Sequence, residues 1–155
     1  MRGLVFETAL VCGTLATAQT FIARAALVDQ AGIPKHTAEK AQAEAIHLAG
    51  TGGITLVWVD SNGPFDFVFV VKHCDCGRGK SPLGQTLLGD PHRSVYSYIY
   101  FDRVVSATHQ TDLSTGYMLG YSIAHELGHL LGLNHVPEGI MMPNWTGQQL
   151  GTLAL

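Results

Sequence analysis

His125-Glu126-Leu127-Gly128-His129-Leu130-Leu131-Gly132-Leu133-Asn134-His135 is the stretch on which the reading of this chain turns. It has the pattern H-E-x-x-H-x-x-G-x-x-H, and each fixed position has a physical task. His125 and His129 lie one helical turn apart, so both imidazoles leave the same helix face and can hold one zinc ion at about 2.0 to 2.1 Å. Gly132 can adopt positive φ, which ends the helix and turns the chain back so that His135 approaches the metal from another direction. Three nitrogens leave one coordination position open. A water there has its pKa lowered to about 7, and Glu126, beside the first ligand, can take its proton. At this chain's own residue frequencies the five fixed positions coincide by chance on the order of 10⁻⁴ times per chain, so the pattern is specific.

Outward from the motif, Ser114 or Thr115 can cap the helix that carries it, which runs through Leu131 and is ended by Gly132. Phe21 to Val28 has strand character. Pro34 to Ala49 reads as an Ala-rich amphipathic helix with apolar positions at Ala38, Ala41, Ala45, Leu48 and Ala49, stopped by Gly50-Thr51-Gly52-Gly53. Ile54 to Val59 and Phe65 to Lys72 read as two adjacent strands joined through the turn Ser61-Asn62-Gly63-Pro64, the second presenting Phe67, Phe69 and Val71 on one face. Leu83 to Leu88 is a short edge strand, and Val95 to Val105 is again strand-like. The expected fold class is α+β, a mixed twisted sheet with two main helices and the zinc site on the second.

Composition narrows the partners. Apolar residues make up 46% and charged residues 14% of 155, so the chain can bury a core and charge-driven disorder is excluded. Nine Lys and Arg against twelve Asp and Glu, without a basic block, give no surface that tracks a phosphate backbone, so nucleic acid is not an expected partner. The apolar stretch Ala9 to Ala18 is too short to span a bilayer, but following Arg2 and ending in the small residues Ala16-Thr17-Ala18 before Gln19 it has the pattern of a secretory signal. Residues 1–18 are therefore read as a signal and 19–155 as a single domain, secreted or periplasmic, with no membrane contact after cleavage.

With Gly139-Ile140-Met141-Met142-Pro143 downstream, the motif resembles the metzincin clan of zinc endopeptidases. Met141 falls in the position of the clan's Met-turn methionine, which implies a soft floor packed beneath the histidines and no ligand role. Pro143-Asn144-Trp145 resembles the matrixin pattern of a proline followed by an aromatic two residues on, which implies that Pro143 and Trp145 line the pocket for the residue after the scissile bond. Trp145 can alternatively pack the C-terminal tail against the core. The clan's extended substrate-binding mode would use the edge strand, here at Leu83 and Gly84. A tyrosine ligand of the astacin type would fall at Pro143 and is absent. Ile123-Ala124 before the motif and the Gly-Ile-Met turn before a Trp also resemble small secreted bacterial zincin-like proteins.

Cys74 and Cys76 admit three readings: a strained local disulfide, free or intermolecular thiols, or, with His73, Asp75 and His92, a second metal. The second metal at the His73 to His92 loop is the least favoured. His36, His47 and His109 read as surface or packed histidines. The expected activity is that of a monomeric zinc-dependent endopeptidase with one catalytic Zn2+, in which zinc-activated water attacks a peptide or protein substrate and Glu126 acts as general base. A non-catalytic zinc-binding module has no use for Glu126 beside an open position. A zinc amidohydrolase acting on a non-peptide amide would use the same groups.

Overall fold

A computed structural model of the chain describes residues 21–74, 82–87, 95–109 and 111–145. Its elements, in chain order, are β1 (Phe21–Asp29), α1 (Lys35–Thr51), β2 (Ile54–Trp58), β3 (Phe67–Lys72), β4 (Gly84–Thr86), β5 (Tyr96–Tyr100), α2 (Phe101–Thr108) and α3 (Thr115–Leu130). The strands form one sheet in the order β2-β1-β3-β5-β4, parallel except for β4, which runs antiparallel to β5 at the edge. Phe67-Val68-Phe69-Val70-Val71 is apolar at every position, which suits a central strand covered on both faces. Phe67, Phe69 and Val71 join Ala23, Ala25 and Ile99 against the helices, while Val68 and Val70 pack with Ala26 on the opposite side.

Three sequence expectations change. The strands β2 and β3, expected side by side, lie on either side of β1. Phe21 to Ala25 pair with Ile54 to Trp58, and Ala25 to Asp29 pair with Phe67 to Val71. Because both registers meet at Ala25, the turn between β2 and β3 has only to step across β1. Arg24 holds the step: its amide and guanidinium donate to the Asp66 carboxylate at 2.8–3.1 Å, and its carbonyl accepts the Asp66 amide at 2.8 Å.

The second change concerns Val95 to Val105, where only Tyr96–Tyr100 is strand and Phe101–Thr108 is the helix α2. The β-branched pair Val104-Val105 favoured a strand. In the helix Val104 alone is buried, Asp102 in the first turn suits the helix dipole, and the Asp102 side chain accepts the Cys74 amide at 2.9 Å. The edge strand is also shorter than expected, with Leu83 and Leu87 flanking three paired residues.

The zinc-motif helix α3 is buried along most of its length. It approaches α1 through small residues: α1 turns Thr37, Ala41, Ala45 and Ala49 inward at i, i+4 spacing, and Gly116 and Gly120 face them. A methyl group on Gly120 would lie 2.6 Å from Glu44 Cβ and 2.9 Å from the Ala41 carbonyl oxygen. The Trp58 indole N–H donates to the Gln42 carbonyl at 3.1 Å and ties α1 to β2. Residues 1–18, Cys12, Asp75, Cys76 and His92 lie outside the described residues. Among the described residues no helix is long and apolar enough to cross a membrane.

Gly120→Ala is expected to push α3 off α1 and to destabilise the fold by roughly 1–3 kcal/mol through overpacking against backbone. Thermal unfolding checks this. A melting temperature equal to wild type for Gly120→Ala would contradict the close approach.

Candidate active site

The last turn of α3 assembles the three histidines. After Leu130 the Gly132 amide donates to the His129 carbonyl and the Leu133 amide to the Gly128 carbonyl, both at 2.9 Å, with Gly132 at φ +85°. This is the hydrogen-bond pair of a Schellman ending, which requires a left-handed residue at that point. The chain reverses there and brings His135 back to His125 and His129. The Nε2 atoms lie 3.1 Å (His129 to His125), 3.1 Å (His129 to His135) and 3.3 Å (His135 to His125) apart.

Two backbone carbonyls set the ring orientations. The Nδ1 of His125 is 2.8 Å from the Ile140 oxygen, and the Nδ1 of His129 is 2.9 Å from the Leu133 oxygen. A carbonyl can only accept, so each Nδ1 carries a proton and each neutral ring presents a bare Nε2 lone pair. Burial, the largest influence, favours the neutral ring and holds the His125 imidazole below its usual range, although the bond to Ile140 opposes it.

Three lone pairs converging in this way repel one another unless a cation lies between them. Nitrogens about 2.0 to 2.1 Å from one tetrahedral centre are about 3.3 to 3.4 Å apart, so this donor set fits zinc. It is the group of His, Cys, Asp and Glu side chains among the described residues that could hold a metal.

The Ile140 carbonyl is placed by the turn at Gly139. The Val136 amide donates to the Met141 carbonyl at 3.1 Å and closes this segment under the site. Met141 is buried, and its sulfur fills the space where Gly128 has no side chain. Met141, expected as a floor beneath the histidines, lies against the motif's own Gly128.

Glu126 projects from α3 toward the sheet edge and is only 4% exposed. Its Oε2 accepts hydrogen bonds from the Thr86 hydroxyl at 2.6 Å and the Ser97 hydroxyl at 3.2 Å. Burial pushes the carboxyl above its usual range, while Thr86, the neighbouring His129 and Ser97 oppose that shift. A cavity of about 600 Å³ opens beside it, lined among others by Leu83, Gly84, Glu126, Pro143 and Trp145. The residues expected at the substrate cleft are therefore brought together around the histidines.

Trp145 stands edge-on to His125 with ring centroids 5.2 Å apart and to Tyr121 at 6.3 Å. It lines the cavity and also packs against the core. Thr86 and Ser97 escaped the sequence reading, because two hydroxyl residues far from the motif carry no local signal and meet Glu126 only through strand register. His36, His47 and His109 are exposed. Cys74 is disulfide-bonded, which removes its thiolate from the second-metal reading, and the remainder of that loop lies outside the described residues apart from the exposed His73.

A parallel sheet with an antiparallel edge strand, and a buried helix ending in three convergent imidazoles over a methionine, make a metzincin-like zincin fold. Residues 79–155 match the model of the matrixin family, peptidase family M10. The fold is similar to that of archaemetzincin from Methanopyrus kandleri, with 14% identity over 88% of each chain and a TM-score of 0.55. It is also similar to a zinc-dependent peptidase from Methanocorpusculum labreanum, with 13% identity over 82% of this chain and 92% of that one and a TM-score of 0.54. No curated protein sequence matches the chain. The family match over the C-terminal part of the chain and the metzincin-like fold together support a zinc metallopeptidase of metzincin type.

Removing one of three ligands should release the metal. His135→Ala is expected to lose most of its zinc on dialysis while the exposed position leaves the fold intact, as read by elemental analysis and circular dichroism. Retention of one zinc per chain would place the third ligand elsewhere.

Proposed function

We propose that this chain is a zinc-dependent endopeptidase, secreted or periplasmic, that cleaves peptide or protein substrates with Glu126 as general base. The observation that carries the reading is the convergence of three imidazole Nε2 atoms beside a buried carboxylate in an open cleft. His125, His129 and His135 would hold the metal. Bound zinc supplies a Lewis acid that polarises a carbonyl and makes water acidic near neutral pH.

The chain's own groups do the rest. Glu126 accepts a proton from the attacking water as its oxygen bonds to the carbonyl carbon, and passes that proton to the leaving amine nitrogen as the C–N bond breaks. The fixed Nδ1 donors of His125 and His129 keep the two rings in the ligating tautomer throughout.

Substrate alignment follows from the sheet edge. The Tyr100 amide of β5 donates to the Leu83 carbonyl, and the Leu87 amide donates to the Tyr96 carbonyl. By antiparallel alternation, the main-chain groups of Gly84 and Thr86 then face away from β5, along the edge beside the cleft. An extended peptide can pair there as an added strand, which binds backbone without reading sequence. Selectivity then falls to the cleft walls, with Pro143 and Trp145 beside the histidines.

A digest of a peptide library, read by mass spectrometry with and without a zinc chelator, tests the reading. The wild type is expected to cut internal bonds in a chelator-sensitive way, and Glu126→Gln to retain its zinc and fold while losing at least about 100-fold in rate. Cleavage by Glu126→Gln at the wild-type rate would remove the residue from the mechanism. Absence of any cleavage by the zinc-loaded wild type would overturn the endopeptidase reading.

A further inference from the structure

The surroundings of Glu126 are more elaborate than burial alone requires. Thr86 and Ser97 are cross-strand partners in the β4–β5 register, and their hydroxyl oxygens lie 3.1 Å apart. Both hydroxyls reach the same carboxylate oxygen, Oε2, at 2.6 Å and 3.2 Å. The shorter distance is in the range of a charge-assisted O–H···O⁻ bond. Neither hydroxyl bonds Oε1, and the Thr86 backbone amide also bears on the carboxylate. Two residues before Thr86 on the same strand face, Gly84 lies directly against the side chain: a Cβ there would be 2.6 Å from Oε1 and 2.9 Å from both Cδ and Cγ. One oxygen is therefore tied by two donors, and the side chain fits into a space that only glycine leaves.

We propose that Thr86 and Ser97 are positioning residues that saturate Oε2 and lock the Glu126 rotamer in the space left by Gly84, leaving Oε1 as the proton acceptor. The inference rests on Glu126 acting as general base. During the reaction the water proton moves to Oε1 and from there to the leaving nitrogen, so the carboxylate is restored and neither hydroxyl gains or loses a proton. The hydroxyls act by geometry. A carboxylate free to rotate presents either oxygen at varying distance from the water, and proton transfer falls off steeply once hydrogen-bond reach is lost.

The test compares Thr86→Val, Thr86→Ser, Ser97→Ala and Glu126→Gln in the full zinc-loaded chain. Three quantities are read: zinc content, kcat and KM on a peptide that the wild type cleaves, and calorimetric affinity for acetohydroxamate, a small chelator whose hydroxyl proton needs an acceptor on binding. Valine keeps the shape of threonine, so Thr86→Val should keep its zinc and its KM within about twofold while kcat falls about 10- to 100-fold, the span expected for losing one hydrogen bond to a charged group. Acetohydroxamate affinity should fall about tenfold in parallel. Thr86→Ser should recover kcat to within about threefold of wild type, and Ser97→Ala should resemble Thr86→Val more weakly, as its longer bond implies. Wild-type kcat and acetohydroxamate affinity in Thr86→Val, alongside an inactive Glu126→Gln, would overturn the positioning role and leave Glu126 as the base. Loss of zinc from Thr86→Val, or failure of Thr86→Ser to recover the rate, would mark a structural role and overturn the proposal as well. A fully active Glu126→Gln would remove the base and with it any reason to position it.

Discussion

Placing the Glu126 carboxylate inside the protein costs several kcal/mol unless donors replace the water it loses. Much of the architecture around the cleft answers that constraint. The carboxylate sits on α3, a helix buried along most of its length, so the replacement donors have to come from another element. They come from the sheet edge, where β4 runs antiparallel to β5 and puts Thr86 opposite Ser97. Edge strands usually leave main-chain groups unpaired. Here the same short strand satisfies a buried acid, and among the described residues its Gly84 and Thr86 main-chain groups face away from β5.

The position of α3 is set in turn by α1. Gly116 and Gly120 meet the small-residue face of α1, and this contact determines how far the motif helix reaches toward β4. At its other end the helix stops at Gly132, and the reversal that follows serves twice. It returns His135 to the other two histidines, and the Leu133 carbonyl within it orients His129. The second turn, at Gly139, likewise supplies both the Ile140 carbonyl for His125 and the buried Met141 against Gly128. Backbone carbonyls do here what carboxylates do in many zinc sites, which keeps the tautomers fixed without adding negative charge beside Glu126.

The parts of this arrangement that were legible in the sequence are those where a local pattern has one physical solution. Two histidines one turn apart with a glycine three residues on imply a helix, a left-handed stop and a convergent third histidine, and that is the observed ending of α3. Leu83 to Leu88 was legible as an edge because its flanks break the chain on both sides. The step of β2 and β3 across β1 was not legible, since the turn Ser61-Asn62-Gly63-Pro64 is equally compatible with pairing of its two flanking strands, and the deciding Arg24–Asp66 contact joins residues far apart in the chain. The helix α2 was hidden by Val104-Val105, whose intrinsic preference is overridden by tertiary packing. Thr86, Ser97 and the glycines facing α1 were invisible for a common reason: a hydroxyl or a missing side chain acquires meaning only from what folding places against it.

The proposed function implies one coordination geometry, three imidazoles with one position left open beside the held carboxylate. Zinc-edge X-ray absorption on the purified, zinc-loaded chain tests it most directly. The expected spectrum has one zinc per chain, three imidazole nitrogens at about 2.0 to 2.1 Å and one further light donor that is not imidazole. A sulfur shell at about 2.3 Å, or a fourth imidazole closing the site, would contradict it.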